Sequence, residues 1–269
     1  MSVVRRAVAA AVAVAAEQGL RVADAVPVGN GSNTIVHLRP SPVVARVMSG
    51  TAVLHRDPRA WLAREIAVGA FLAGRMAAVV GPAEDVDPGP YVHDGLWLSF
   101  WEHVELDEAP LAAAGIGQAL RALHDALADY PGPLPPRSEV LGEIDWLLGA
   151  LTGDEGVDAL AAERDRLAPV ILAHDQLPGR QPLHGDASLS NLLATGDGPR
   201  WNDLEDVCVG RVEWDLAGVV SDARAAHGDA FAAEVLAAYG GCDPAVLAQV
   251  DEVHALYGGL WRRHLRRAA

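Results

Sequence analysis

At 269 residues the chain is long enough for one large domain or two smaller lobes around a substantial buried core. Hydrophobic residues make up 51% and charged residues 21%, a globular composition rather than a disordered one. A formal net charge of -15 repels nucleic acid and anionic lipid, so neither a nucleic acid nor a membrane surface is expected as a partner.

All 21 basic residues are arginine, and lysine is absent. Cys208 and Cys242 fit neither a disulfide scaffold nor a zinc pattern, and both read as ordinary residues of a reducing compartment. No stretch reaches the ~18 apolar residues that span a bilayer, so the expected location is the cytoplasm. Arg5-Arg6 and the Ala/Val run from Ala7 to Ala16 resemble a signal peptide only superficially. The run is weakly apolar and leads straight into Glu17-Gln18, which predicts an opening amphipathic helix.

Next comes Val26-Pro27-Val28, then Gly29 to Asn33, then Thr34 to Leu38, which predicts two strands joined by a glycine-containing turn. Val43 to Met48 is a third strand with Arg46 its only charge. A helix is predicted from Arg59 to Met76, carrying Glu65 among apolar residues at helical spacing. Strands near Tyr91–His93 and Leu96–Val104 close a region whose order suggests a small α+β lobe. From Leu106 the character turns helical. Ile116, Leu120, Leu123 and Leu127 line one face of a helix predicted over Leu111–Ala128. A Pro/Gly break at Pro131–Pro136 precedes helices at Val140–Leu151 and Val157–His174. The stretch from Pro182 to Asp215 reads as irregular, and final helices are expected at Asp229–Tyr239 and Pro244–Arg267.

The chemistry lies in the irregular stretch. Leu183-His184-Gly185-Asp186 is followed by Asn191, and a predicted strand Arg200–Glu205 carries Asp203. Phosphoryl transfer needs one carboxylate to position an acceptor hydroxyl and take its proton. It also needs hard oxygen ligands for Mg²⁺, and an amide and a second carboxylate suffice when the nucleotide supplies the rest. Asp186, Asn191 and Asp203 meet both needs. A second His-Gly-Asp at His227-Gly228-Asp229 lacks the companions and reads as a helix start. The other histidines are scattered without ligand spacing. A metal-dependent hydrolase using Asp186, Asp203 and His184 is a further reading of the same letters.

The run His184-Gly185-Asp186 with Asn191, then Asp203-Leu204-Glu205-Asp206, Gly210 and Glu213-Trp214-Asp215-Leu216-Ala217, resembles the aminoglycoside phosphotransferase family of small-molecule kinases. The resemblance implies an α+β, bilobal protein-kinase-like fold. It comprises a small N-terminal β-sheet lobe with a helix, residues 1–103, and a larger mainly helical lobe, residues 104–269. It implies Asp186 as catalytic base, Asn191 and Asp203 as metal ligands, and Asp215 as a brace for the catalytic loop. Gly31, Ser32 and Asn33 would cover the phosphates, and Arg46 paired with Glu65 would stand where the family has a strand lysine. The adenine would lie near Glu102 and Val104. ATP is the expected nucleotide, with GTP open, and Mg²⁺ the expected metal. The implied partner is a small-molecule hydroxyl compound (an aminoglycoside, a sugar or an amino alcohol), and nothing in the chain indicates an oligomeric state. Glu205, Asp206, Glu213 and Asp222 are candidates for a patch that binds a cationic acceptor. Three departures stand out: Arg46 in place of lysine, Ser188-Leu189-Ser190 inside the loop, and polar Asn202 before Asp203. The first two motivate an alternative, a kinase-like nucleotide-binding protein with little or no transferase activity.

Overall fold

The computed structural model describes residues 2–30, 33–52, 57–75 and 77–268. Contacts divide the chain into two units, Met1–Ala109 with Ala194–Glu205, and Pro110–Leu193 with Asp206–Ala269.

The first unit opens with helix α1, Val3–Glu17, whose Ser2 side chain accepts from the Arg5 amide at the N-terminus. Strands β1 (Asp24–Asn30), β2 (Thr34–Arg39), β3 (Val43–Val47), β4 (Tyr91–His93) and β5 (Leu96–Glu102) form one antiparallel sheet in the order β1-β2-β3-β5-β4. Alternation along the strands sends Val36, Leu38, Val43, Ala45, Val47, Leu98 and Phe100 to one face, where they pack on Ala7, Ala10, Ala11 and Val14 of α1. Arg46 points to the other face, opposite Ser99 in register. Helix α2, Pro58–Ala73, begins with proline behind an Asp57 cap and lies against that second face. A Cβ on its Gly69 would come within 2.8 Å of the Trp101 ring, so glycine is what permits the approach.

The hairpin β7 (Leu192–Thr195) and β8 (Gly198–Trp201) carries the chain back to the first unit. Here the sequence reading needs correction, because the strand expected over Arg200–Glu205 ends at Trp201. Asp203 adopts φ 61, a left-handed conformation that no strand continues through, and Leu204–Asp206 forms a 3-10 turn.

The second unit contains helices α3 (Ala113–Leu127), α4 (Val140–Ala150), α5 (Val157–His174), α6 (Glu213–His227), α7 (Asp229–Tyr239) and α8 (Pro244–Ala268). Two short strands, β6 (Gln181–Leu183) and β9 (Cys208–Gly210), pair antiparallel. Ile116, Leu120, Leu123 and Leu127 are all buried, as their spacing requires. The main core joins Ile144, Leu147, Leu167, Ile171, Trp214 and Val250. Burial pushes the Cys208 thiol up to about 12, which leaves it inert. Asp229 opens α7, so the second His-Gly-Asp is indeed a helix start.

Helix α6 was not foreseen. Its Trp214, Leu216, Ala217, Val219, Val220 and Ala223 are all buried, as are Glu213 and Asp215. A helix covered on most sides leaves no amphipathic stripe to detect.

Helices α3 and α7 approach through glycine. A Cβ at Gly117 would lie 2.2 Å from the Val235 carbonyl oxygen and 2.8 Å from the Tyr239 nitrogen. Gly117→Ala is therefore expected to lower unfolding stability by about 1–3 kcal/mol through overpacking, despite alanine's better helix propensity. Urea denaturation checks this, and an unchanged or raised midpoint would contradict the contact.

Candidate functional site

In the second unit the loop after β6 carries Asp186 and Asn191. Its backbone is held by Asp215, on the first turn of α6 and fully buried. Asp215 Oδ2 accepts from the His184 amide at 2.8 Å and Oδ1 from the Gly185 amide at 2.9 Å. His124 Nε2, from α3, lies 2.8 Å from Oδ2, and its Nδ1 lies 2.9 Å from the Tyr239 hydroxyl. Burial alone would raise the Asp215 pKa, but the hydrogen bond and charge of His124 and the loop amides hold it below the ordinary value.

The Gly185 carbonyl is fixed too. Arg137 Nη1 donates to it at 3.1 Å and Trp214 Nε1 at 2.8 Å. Gly185 has φ 89, and a Cβ there would sit 1.9 Å from the Asp206 carbonyl oxygen. Only glycine fits. Gly218 of α6 is equally constrained, since its Cβ would fall 2.3 Å from the Ala187 carbonyl oxygen. Downstream, Leu189–Asn191 form one 3-10 turn, with the Leu189 amide donating to Asp222 Oδ2 at 3.0 Å.

These restraints leave the Asp186 side chain exposed and Asn191 buried. Asn191 Nδ2 donates to the Asp186 carbonyl at 2.9 Å and to its Oδ2 at 3.1 Å. The amide nitrogen is thereby committed to Asp186, and Oδ1 is the hard oxygen of that side chain.

In the first unit Arg46 is the hub. Nη1 lies 3.0 Å from Glu65 Oε2, and Nη2 lies 2.7 Å from both Asp203 Oδ1 and Glu205 Oε2. Arg64 Nη2 donates to the Glu205 carbonyl at 3.2 Å. Burial works against the Arg46 charge, yet Asp203, Glu205 and Glu65 together raise its pKa well above the ordinary value. Burial pushes the Glu65 carboxyl up against the pull of Arg46, and the neighbouring Glu205 and Asp203 push it further.

The other predicted residues lie elsewhere in that unit. Buried Asn33 accepts from the Thr51 hydroxyl at 2.9 Å. Glu102, ending β5, accepts from the Gly81 amide at 3.0 Å and from Arg200 at 2.9 Å. Val104 is half-buried just beyond that strand. Gly31 and Ser32 lie outside the described residues. The pair Asp186 and Asn191 belongs to the second unit, and Arg46, Glu65 and Asp203 to the first.

A model of the APH phosphotransferase enzyme family matches residues 32–253. The chain belongs to this family. No curated protein matches the sequence significantly. Among solved structures, the family member APH(2")-IIia, in complex with GDP and kanamycin, aligns at TM-score 0.66 and 17% identity over 96% of this chain and 92% of its own. The aminoglycoside phosphotransferase APH(3'')-Id from Streptomyces rimosus, in complex with ADP and streptomycin, aligns at 0.66 and 19% over 91% and 96%. The amicoumacin kinase hAmiN, in complex with AMP-PNP, Ca2+ and Ami, aligns at 0.69 and 13% over 91% and 81%. At these identities the likeness speaks for the fold, which is α+β and protein-kinase-like.

Sequence reasoning overlooked several parts. His124 and Arg137 sit in helical stretches and carry no motif, yet both secure the loop. Glu205 read as a surface acid but is buried against Arg46. Glu213 is likewise committed, accepting both arms of Arg211 and the Asp243 amide. Asp222 caps Leu189, so Glu205, Glu213 and Asp222, all suggested for a cation-binding patch, are engaged within the protein.

Trp214 packs on the half-buried His254 ring, with centroids 4.6 Å apart. Burial and the nearby Arg137 charge depress the His254 pKa to about 4. Because the folded value lies below the unfolded one, this ring contributes stability that is fully present above about pH 6.5 and is lost as pH falls toward the folded value. The wild-type chain should lose roughly 3 kcal/mol from this source between those limits. His254→Leu should flatten that limb in pH-dependent urea titrations, and an unchanged slope would contradict a ring held neutral in the fold.

Proposed function

We propose that the chain is an ATP- and Mg²⁺-dependent phosphotransferase that moves the γ-phosphate to a hydroxyl of a small molecule. One observation carries this reading: Asp186 is exposed on a loop whose backbone is held rigidly, and the Asn191 amide fixes its carboxylate. A carboxylate so oriented can accept the proton of an acceptor hydroxyl as its oxygen bonds to the γ-phosphorus and the bond to the nucleoside diphosphate breaks. With no catalytic covalent intermediate required, such a site works by positioning and by charge.

The donor set suits the metal. The Asn191 carbonyl oxygen and the Asp203 carboxylate are hard oxygens of the kind Mg²⁺ takes when phosphates and water complete its shell. Among the described residues no group of three or more His, Cys, Asp or Glu is arranged to hold a metal by itself, which suits a site shared with a nucleotide better than a closed hydrolase centre. When bound, the ion neutralises charge on the phosphates. Arg46, Asn33 and the segment from Glu102 to Val104 are the proposed nucleotide contacts. GTP remains an alternative donor in this reading, since complexes of relatives include GDP as well as ADP and AMP-PNP.

For the acceptor we favour an amine-bearing alcohol, an aminoglycoside, sugar or amino alcohol. The related structures hold kanamycin and streptomycin, and a net charge of -15 attracts cations. The alternative, a nucleotide-binding protein with little turnover, draws on Arg46 binding Asp203 and Glu205 so closely.

A nucleotide-consumption screen across small hydroxyl compounds separates the two. An acceptor-dependent rate should appear with Mg²⁺ and fall by about 10²–10⁴-fold in Asp186→Ala. Turnover of a hit at the wild-type rate in that variant would remove Asp186 from the role of base. Mg²⁺-dependent nucleotide binding without consumption for any acceptor would favour the alternative.

A further inference from the structure

Arginine at position 46 does something that a lysine is poorly built to do. Its planar fork binds three carboxylates at once, Glu65 through Nη1 and both Asp203 and Glu205 through Nη2. A lysine offers a single nitrogen on a shorter reach. Two further features make the arrangement consequential. Glu65 and Glu205 are buried, so the guanidinium is anchored through both terminal nitrogens by acids other than Asp203. Asp203 is the most exposed of the three acids, with 27% of its side chain accessible against 1% and 8% for Glu65 and Glu205. The acid most accessible to a ligand is thus the one held at the edge of the fork.

The oxygen at issue is Asp203 Oδ1. A divalent ion bound there would sit about 2.0–2.1 Å away. The Arg46 nitrogen already lies 2.7 Å from the same atom. Two cations cannot share one oxygen at those distances without strong repulsion. Losing Asp203 leaves Arg46 still paired with Glu65 and Glu205, so release of one contact does not strand a buried charge.

We propose that Arg46 is the resting counter-ion of Asp203 and that a divalent cation takes Asp203 Oδ1 in competition with it. The proposal rests on the phosphotransferase reading, which makes Asp203 a metal ligand. Arg46 then acts as a positioning residue: it holds the Asp203 carboxylate in place and sets the metal concentration at which the site fills. The weaker metal grip belongs to arginine in particular, since a lysine paired with Glu65 at the same net charge leaves Asp203 and Glu205 less completely satisfied.

Mn²⁺ is the probe, with free ion read by EPR in the full-length chain, alone and with AMP-PNP. Arg46→Lys should bind Mn²⁺ on the order of tenfold tighter than wild type without nucleotide. Arg46→Gln should also bind more tightly, and in both variants the added Asp203→Asn change should cancel the gain. Thermal melts on the same samples check folding, and the Gln variant serves if the Lys variant does not fold. Mn²⁺ binding by Arg46→Lys no tighter than wild type overturns the proposal, as does a gain that survives Asp203→Asn. If wild type takes up Mn²⁺ with AMP-PNP while these failures occur, the phosphotransferase reading stands and only the latch falls. If no Mn²⁺ is taken up with or without AMP-PNP, both fall together.

Discussion

Everything about the loop that bears Asp186 depends on one buried carboxylate. Asp215 has no solvent access, and an ion in that position is tolerated only if its oxygens are filled by donors. They are filled by two successive amides of the loop and one ring nitrogen of α3. The arrangement works in both directions. The amides keep Asp215 ionised, and Asp215 dictates where those amides lie. Because His124 reaches on to Tyr239 of α7, the loop is referenced to three helices rather than to its own flanking strands. A short irregular segment becomes as well determined as a helix, without regular backbone pairing.

Close approach supplies the remaining precision. Gly185 and Gly218 lie where side chains would collide with carbonyl oxygens of Asp206 and Ala187. The carbonyl of Gly185 itself is clamped between Arg137 and Trp214. Backbone groups of a loop are ordinarily satisfied by water, so dedicating an arginine and an indole to one carbonyl marks a place where position matters more than economy. The resulting rigidity ends at Asp186, whose side chain is exposed and held by Asn191.

The legible parts of this molecule were those with a period or a fixed spacing. The stripe on α3, the strands around Arg46 and the interval from Asp186 to Asn191 each leave a local pattern, because each is set by geometry within a few residues. Helix α6 left none, since burial on most sides erases the contrast between its faces. The break after Trp201 was equally silent. Asp203 takes a left-handed conformation and its carboxylate meets Arg46, a partner 157 positions away, and strand propensity says nothing of that. Glu205 and Glu213 were misjudged for the same reason. A carboxylate reads as surface until its arginine is found, and the arginines that claim these two come from β3 and from a loop ahead of α6.

The absence of lysine now has a structural meaning beyond composition. In a chain without lysine, a buried acid paired with a permanently charged base is met by a guanidinium, whose contacts are forked and directional. Arg211 holds the buried Glu213 through two nitrogens, and Arg164 holds the exposed Asp145 the same way. At Arg46 the same chemistry meets a carboxylate that the proposed reaction needs for a metal. There a fork is no neutral replacement for an ammonium. It joins the acid of α2 to both acids of the turn after β8, so one side chain couples that helix to Asp203.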